Sequence, residues 1–277
     1  MRARPFVLVL CACAPAFVDQ PWLVTSPRLI AVVAEPPELP PGGHATVTAT
    51  ISQSGIAPSW ARCDVAAPLG QNEPVATSCL SEPSAAAPTA LDFALTVPPD
   101  ACARFGPDVA RADDRPRDPD ATGGWYQPVG LSFVGQTSFA FERLTCEPAG
   151  VTNDVAAAFR HARTPNRNPR LTVTAQVEGR DVGFEALPLG QAVAFVPTLD
   201  DPETFALIDP ATFTLTSSVE TRTVQWLVTD GALDLATTRG QPTMWQSPSS
   251  AGQGTLWGVA RDSRGGVAVV TQPLVWR

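Results

Sequence analysis

The stretch of residues 27–51 constrains the fold more than any other part of this chain. Residues 29–34 form an apolar run rich in β-branched side chains. The corner that follows contains prolines at positions 36, 37, 40 and 41, which cannot donate to a sheet ladder, and Gly42-Gly43 permits a turn. Residues 44–51 then alternate small or polar side chains with apolar ones, the period of a half-buried strand. The stretch therefore predicts a strand, a proline-glycine corner and a second strand.

The rest of the chain has a similar sequence pattern. Its 277 residues include 29 prolines and 20 glycines, which separate short β-rich runs. Apolar residues make up 44% of the chain and charged residues 17%, a composition typical of globular proteins. Helical periodicity is confined to residues 154–163. Many short strands and turns predict an all-β fold.

The charge of the chain excludes one class of function. The net charge is −8, and all 19 basic residues are scattered arginines. Nucleic-acid binding requires a basic stripe or patch, which this sequence does not contain. We therefore expect no nucleic-acid partner.

The N-terminus has the layout of an export signal. Two arginines precede an apolar run, residues 6–10, and the residues 10–13, Leu-Cys-Ala-Cys, resemble the lipobox of bacterial lipoproteins. The resemblance implies a signal peptide over residues 1–12, a lipid on Cys13 and a tether over residues 13–26. It also implies a place in the bacterial cell envelope, at the outer membrane, facing the periplasm or the exterior. The alternatives are an ordinary cleaved signal, or a misassigned start on a soluble protein. Nothing else in the chain approaches the roughly 20 apolar residues of a membrane span.

Four further cysteines lie before residue 147. In an exported protein they are expected to form two disulfides, and three pairings are open. Their spacing contains no Cys-x-x-Cys and no neighbouring histidine pair, which argues against zinc. Proximity in the sequence favours the pairing Cys63–Cys79 and Cys102–Cys146.

The opening pattern returns in the second half of the chain. Pro169-Arg-Leu repeats Pro27-Arg-Leu, and residues 187–197 again place a proline-glycine corner before a strand. We therefore predict a first domain over residues 27–150, a linker over residues 151–168 and a second domain over residues 169–277. A long loop over residues 98–128 interrupts the first domain, and loops of this length are usually functional or disordered.

Several tryptophans fall within strand patterns. Trp60, Trp226 and Trp257 are therefore expected in the core, where immunoglobulin-like sandwiches bury such a residue. The final hairpin, turning over residues 262–266, resembles the closing pair of bacterial immunoglobulin-like, polycystic-kidney-type and cadherin-like repeats. The whole chain resembles uncharacterised envelope lipoproteins of GC-rich, myxobacteria-like genomes. The resemblance implies two tandem immunoglobulin-like β-sandwich domains after a lipoprotein signal.

Residues that could carry chemistry are few. The two histidines, His44 and His161, lie in a strand start and in the linker, and no G-x-S-x-G motif, P-loop or Rossmann glycine motif is present. Asp118 and Asp120, followed by Gly123, match part of a calcium loop, although the terminal bidentate acid is missing. We therefore predict no resident cofactor, with calcium at Asp118 and Asp120 as the alternative.

Trp125 and Tyr126 follow two glycines in the long loop, and we expect them to be exposed, where they could stack on a sugar or on a protein partner. The leading hypothesis is a non-enzymatic, lipid-anchored envelope protein for display, adhesion or scaffolding. One alternative is a carbohydrate-binding module that uses Trp125 and Tyr126. A further alternative is a hydrolase that uses the acidic residues of the long loop.

Overall fold

The computed structural model describes residues 20–67, 75–81, 85–86, 89–108 and 117–277. The leader, with the predicted lipid site at Cys13, lies outside the described residues, and so does the acidic pair at positions 113–114. The described residues form an all-β protein with short helices, as predicted.

The elements fall into two groups along the chain, which we call module 1 and module 2. The strands of module 1 are β1 (Leu29–Glu35), β2 (Glu38–Leu39), β3 (His44–Ile51), β4 (Ser59–Arg62), β5 (Ala85–Ala86), β6 (Asp92–Thr96), β7 (Trp125–Phe133) and β8 (Gln136–Leu144). The strands of module 2 are β9 (Leu171–Val177), β10 (Arg180–Val182), β11 (Ala192–Leu199), β12 (Thr204–Ile208), β13 (Leu215–Val219), β14 (Arg222–Val228), β15 (Ala232–Leu233), β16 (Thr237–Thr238), β17 (Thr243–Gln246), β18 (Gly252–Asp262) and β19 (Val267–Trp276). The helices are α1 (Thr77–Ser81), α2 (Ala101–Phe105) and α3 (Asn153–Ala162).

Module 1 is a sandwich with an immunoglobulin-like strand order. One sheet has the order β1-β3-β6 and the other β2-β8-β7-β4-β5. The prolines of the opening corner divide the first strand, so that β1 pairs antiparallel with β3 while β2 pairs parallel with β8 in the opposite sheet. Trp60, 1% exposed, lies in the core between the sheets, as predicted.

Module 2 repeats the sandwich. Its sheets have the orders β10-β9-β11-β17-β15 and β16-β14-β18-β19. Leu187 forms an isolated parallel bridge to Trp276, in the way that β2 pairs with β8 in module 1. The core is built on packed aromatic rings. Trp245 stacks on Phe195 and meets Trp276 edge to face, with ring centroids 5.6 Å apart in both pairs. The predicted immunoglobulin-like fold is therefore present in both modules.

Two details of module 2 differ from the sequence-based expectation. Residues 244–248 have the sequence pattern of a short edge strand, but β17 pairs with both β11 and β15 and is an interior strand. The β12–β13 hairpin was also not anticipated, and it forms a two-stranded sheet of its own, inserted between β11 and β14. The predicted helix of the linker is present as α3, and it contacts this hairpin.

The modules pack side by side. Ile30 and Ala31 of β1 share a buried apolar cluster with Leu227, Trp257 and Val259 of module 2. Because side chains alternate along a strand, Trp257 lies on the opposite face of β18 from Leu256, which packs in the core of module 2. Trp257 is buried as predicted, but in the interface between the modules.

Part of the predicted tether is folded. Leu23 forms a parallel bridge with Val228, and the Val228 amide donates to the Trp22 carbonyl at 2.9 Å. The Trp22 side chain is half-buried against the core of module 2. The chain therefore contacts module 2 before it enters module 1. Among the described residues, no helix is long and apolar enough to cross a membrane.

Candidate functional site at the junction of the modules

The predicted disulfides lie in module 1. The structure pairs Cys63 with Cys79 and Cys102 with Cys146, the pairing that sequence proximity favours. Cys102 belongs to α2, so the second bridge fixes this short helix to the end of β8. In the described part of the long segment over residues 98–128, residues 101–105 form α2 and residues 117–124 lead directly into β7.

Asp120 organises the turn before β7. Its Oδ1 accepts hydrogen bonds from the Thr122 amide at 2.9 Å, the Thr122 hydroxyl at 2.8 Å and the Gly124 amide at 2.8 Å. Its Oδ2 accepts from the Tyr126 hydroxyl at 2.7 Å. Burial raises the pKa of Asp120, but these donors and Arg143 outweigh it, so the pKa lies below its usual value. Asp120 is therefore a structural carboxylate that closes the turn.

Arg143 covers this turn from β8. Its guanidinium donates to the Thr122 hydroxyl at 2.7 Å, the Thr122 carbonyl at 3.0 Å and the Tyr126 hydroxyl at 3.0 Å. A Cβ at Gly124 would collide with the guanidinium, so this glycine is required for the close approach. Burial, with the nearby Asp120, raises the pKa of Tyr126 to about 12. Tyr126 is therefore held as a neutral phenol in a closed network.

The predicted exposure of Trp125 and Tyr126 is wrong. Both residues belong to β7, where Trp125 pairs with Leu144 and Tyr126 with Arg143. Trp125 is 7% exposed, packs in the core of module 1 and donates from Nε1 to the Arg117 carbonyl at 3.2 Å. Neither ring forms an open platform. The ladder with β8 is the physical reason, because it starts β7 at Trp125, where the sequence pattern indicated a loop.

Calcium at Asp118 and Asp120 remains a prediction. Four protein donors already occupy the Asp120 oxygens, and these would have to be displaced for the carboxylate to coordinate a cation. Within the described residues, no group of three or more histidine, cysteine or acidic side chains could hold a metal ion.

An apolar cleft lies beside Trp125. It has a volume of about 230 Å³, and its walls come from the segment before β7, from α3 and from the β12–β13 hairpin. Phe159 of α3 and Phe213 of the hairpin turn face it with Trp125, and Asp118 lies at the same cleft. Phe213 is 51% exposed. Sequence analysis missed this cleft, because its aromatic residues are far apart in the chain.

A buried charged cluster joins the modules. Arg264, in the turn between β18 and β19, is 2% exposed. Its guanidinium lies 3.2 Å from Glu38, 3.4 Å from Glu203 and 3.5 Å from Glu220, and it donates to the Thr164 carbonyl at 2.7 Å. A single side chain of module 2 therefore contacts module 1, the linker and the base of the inserted hairpin.

Glu38 is the residue of module 1 that belongs to this buried cluster. The Asn166 amide donates to it at 2.9 Å, and the guanidinium groups of Arg163 and Arg143 lie 3.2 and 3.6 Å away. Burial raises the pKa of Glu38, but the Asn166 amide and the three arginines outweigh it and hold the pKa below its usual value. The carboxylate is thus ionised in a buried, cation-rich site.

The linker reinforces this junction. The Asn168 side chain donates to the Ala34 carbonyl at 2.7 Å and accepts from the Val267 amide at 2.8 Å. One amide side chain thus bridges β1 and β19. These hydrogen bonds add to the buried apolar contacts between the modules.

The two histidines take no part in the junction. His44 is exposed on β3, with Nδ1 2.9 Å from the Thr96 hydroxyl. His161 is exposed in the last turn of α3.

The comparisons with known proteins identify no family. No family model matches the sequence, and no curated protein is significantly similar to it. Among solved structures, the chain is similar to the fibronectin(III)-like modules of Clostridium thermocellum CbhA, with 10% identity over 91% of this chain and 93% of that chain and a TM-score of 0.28. It is similar to the N-terminal Ig1-2 module of the Drosophila receptor protein tyrosine phosphatase DLAR, with 15% identity over 91% and 98% and a TM-score of 0.26. It is also similar to the D00-D0 domain of intimin, with 8% identity over 89% and 100% and a TM-score of 0.24. Similarities at these TM-scores support no conclusion about this chain. The immunoglobulin-like description depends on the strand order given above.

Proposed function

We propose that this chain is a non-enzymatic protein of the bacterial cell envelope, anchored by a lipid on Cys13, which displays two immunoglobulin-like modules as one adhesive or scaffolding unit. The observation that carries the proposal is the buried cluster around Glu38 and Arg264. A cluster that joins both modules and the linker keeps the two sandwiches in one orientation, which suits a protein that presents a surface at a distance from its anchor.

The environment of Asp120 argues against a hydrolytic role for the long loop. Asp120, an acidic residue of the long loop, is bound by four protein donors and has a lowered pKa. A glycosidase acid needs the opposite, a raised pKa and an open position next to substrate. A carbohydrate-binding surface would in turn need exposed rings, and Trp125 is buried.

To test this, the 277-residue chain is expressed in a Gram-negative host with an alkyne fatty acid in the medium. Wild type and the matched control Cys11→Ser should be labelled, sediment with the membranes and increase the retention of cells on a coated surface. Cys13→Ser should lose all three properties. Labelling that persists in Cys13→Ser would overturn the anchor. Equal retention of cells with and without the protein would overturn the adhesive role, and hydrolysis of a glycoside or ester panel that is lost in Asp120→Asn would favour the hydrolase.

A further inference from the structure

A second cavity lies between the modules, away from the aromatic cleft. Its volume is about 410 Å³. Its walls come from β1, from the β7–β8 hairpin and from the outward face of the β14, β18 and β19 sheet. Most of the lining side chains are apolar, so the few polar groups among them decide what the cavity can accept.

Glu142 is the unusual lining residue. It is 2% exposed, and neither of its carboxylate oxygens has a hydrogen-bond partner among the described residues. Burial, together with the neighbouring charge of Glu38, raises the pKa of Glu142 to about 8. A buried carboxyl group without a partner is costly, because its desolvation is not offset by any contact. A ligand that donates hydrogen bonds would remove this penalty.

The other polar groups at the cavity show that acceptors, and not donors, lack partners there. Arg261 donates to the Gln225 side chain at 2.9 Å, and Arg28 donates to the Pro21 carbonyl at 2.6 Å, so each arginine already has an acceptor. Asp262 has one buried oxygen, Oδ2, without a partner. The remaining titratable group, Tyr126, is bound to Asp120. The lining atoms without a hydrogen-bond partner are therefore acceptors, and they belong to carboxylates of both modules.

We propose that this cavity binds a small organic cation, a primary ammonium on an apolar body, whose N–H groups donate to Glu142. The apolar walls would hold the body of the ligand, and the ammonium would pair with a carboxylate in a region of low dielectric, where such a pair is stronger than in water. The inference is independent of the proposed envelope function. Because residues of both modules line the cavity, a bound cation would also strengthen their association.

Hexylammonium is a suitable probe, with hexanol as its neutral counterpart and hexanoate as its anionic one. Isothermal titration calorimetry of the purified protein should give saturable binding of hexylammonium, with weaker binding of the other two. Glu142→Gln should weaken the binding about 10- to 100-fold, the value of a charged hydrogen bond. Glu147→Gln, which changes an exposed glutamate paired with Arg160, should leave it unchanged.

A second measurement needs no variant. Glu142 is largely protonated at pH 7 before binding and ionised when paired, so binding should release about one proton, seen as a dependence of the heat on the ionisation enthalpy of the buffer. Ala34→Leu, which adds volume to the cavity wall, should reduce binding without removing the charge. Absence of saturable binding, equal affinity for hexanol, or unchanged affinity in Glu142→Gln would each overturn the proposal.

Discussion

Arg264 Nη2 lies 3.2 Å from Glu38 Oε2, and this pair joins the last turn of module 2 to the first corner of module 1. Both side chains are buried, with 3% and 5% exposure. Removing one partner of a buried ion pair leaves the other charge without compensation, which costs far more than the net value of the pair. The pair therefore makes each module depend on the other.

Arg264→Met is expected to lower the free energy of unfolding by about 3–5 kcal/mol, because it leaves three carboxylates without their shared cation. Urea denaturation followed by tryptophan fluorescence measures this. Arg160→Ala is the matched control, since Arg160 forms an exposed pair with Glu147 at 2.6 Å and its loss should cost less than about 1 kcal/mol. Equal losses in the two variants would contradict the role of Arg264.

The apolar interface gives a separate prediction. Trp257→Ala removes a large side chain that packs between the modules and is expected to cost about 3–5 kcal/mol. It should also loosen the modules, seen as a larger radius of gyration in small-angle scattering. Val219→Ala, at a 55% exposed residue of the inserted hairpin, should change neither quantity. A stable protein of unchanged dimensions would show that Trp257 does not hold the modules together.

The strands were predictable because their signal is local. Alternation with period two at residues 44–51 depends only on neighbouring side chains, and β3 occupies those residues. The charged junction could not be predicted in this way, because Glu38 and Arg264 are 226 positions apart. Both also fall in stretches that the sequence pattern indicates as turns, where charged residues are usually solvated. Trp125 illustrates the same limit. The glycines before it indicated a loop, while its pairing with Leu144 across the β7–β8 hairpin placed it in a strand and in the core.

The turn held by Asp120 should depend on its charge. Asp120→Asn removes an ionised acceptor of four hydrogen bonds and is expected to cost about 1–3 kcal/mol at pH 7. Because the pKa of Asp120 is lowered in the folded protein, its contribution is present above the pKa of the unfolded chain and is lost as the pH falls through the folded value. The stability difference between wild type and Asp120→Asn should therefore shrink on acidification. A difference that stays constant down to pH 2 would contradict an ionic role.

The two disulfides should contribute unequally. Cys102–Cys146 closes a sequence separation of 44 residues and Cys63–Cys79 one of 16. In the chain-entropy model these correspond to roughly 4 and 3 kcal/mol. Cys102→Ser with Cys146→Ser should therefore destabilise the protein more than Cys63→Ser with Cys79→Ser, and only the first pair should release α2 from β8. Denaturation of both double variants, with limited proteolysis after Arg104, measures the difference, and the reverse order of stability would contradict it.

Glu142 should make the protein less stable as the pH rises. The pKa of Glu142 is raised from 4.5 to about 8 in the folded state, so between these values the folded protein binds a proton that the unfolded chain has released. The derivative of the free energy of unfolding with pH is then negative, and this contribution falls from about pH 4.5 to pH 8. At pH 7 the accumulated loss is roughly 3 kcal/mol. Glu142→Gln cannot ionise, so its stability should exceed that of wild type increasingly over this range, while Glu147→Gln should follow wild type. Denaturation midpoints measured at intervals from pH 4 to pH 9 test this prediction. Parallel curves for wild type and Glu142→Gln would contradict it, and would mean that the Glu142 carboxyl group is ionised in the folded protein, with a partner that satisfies its charge.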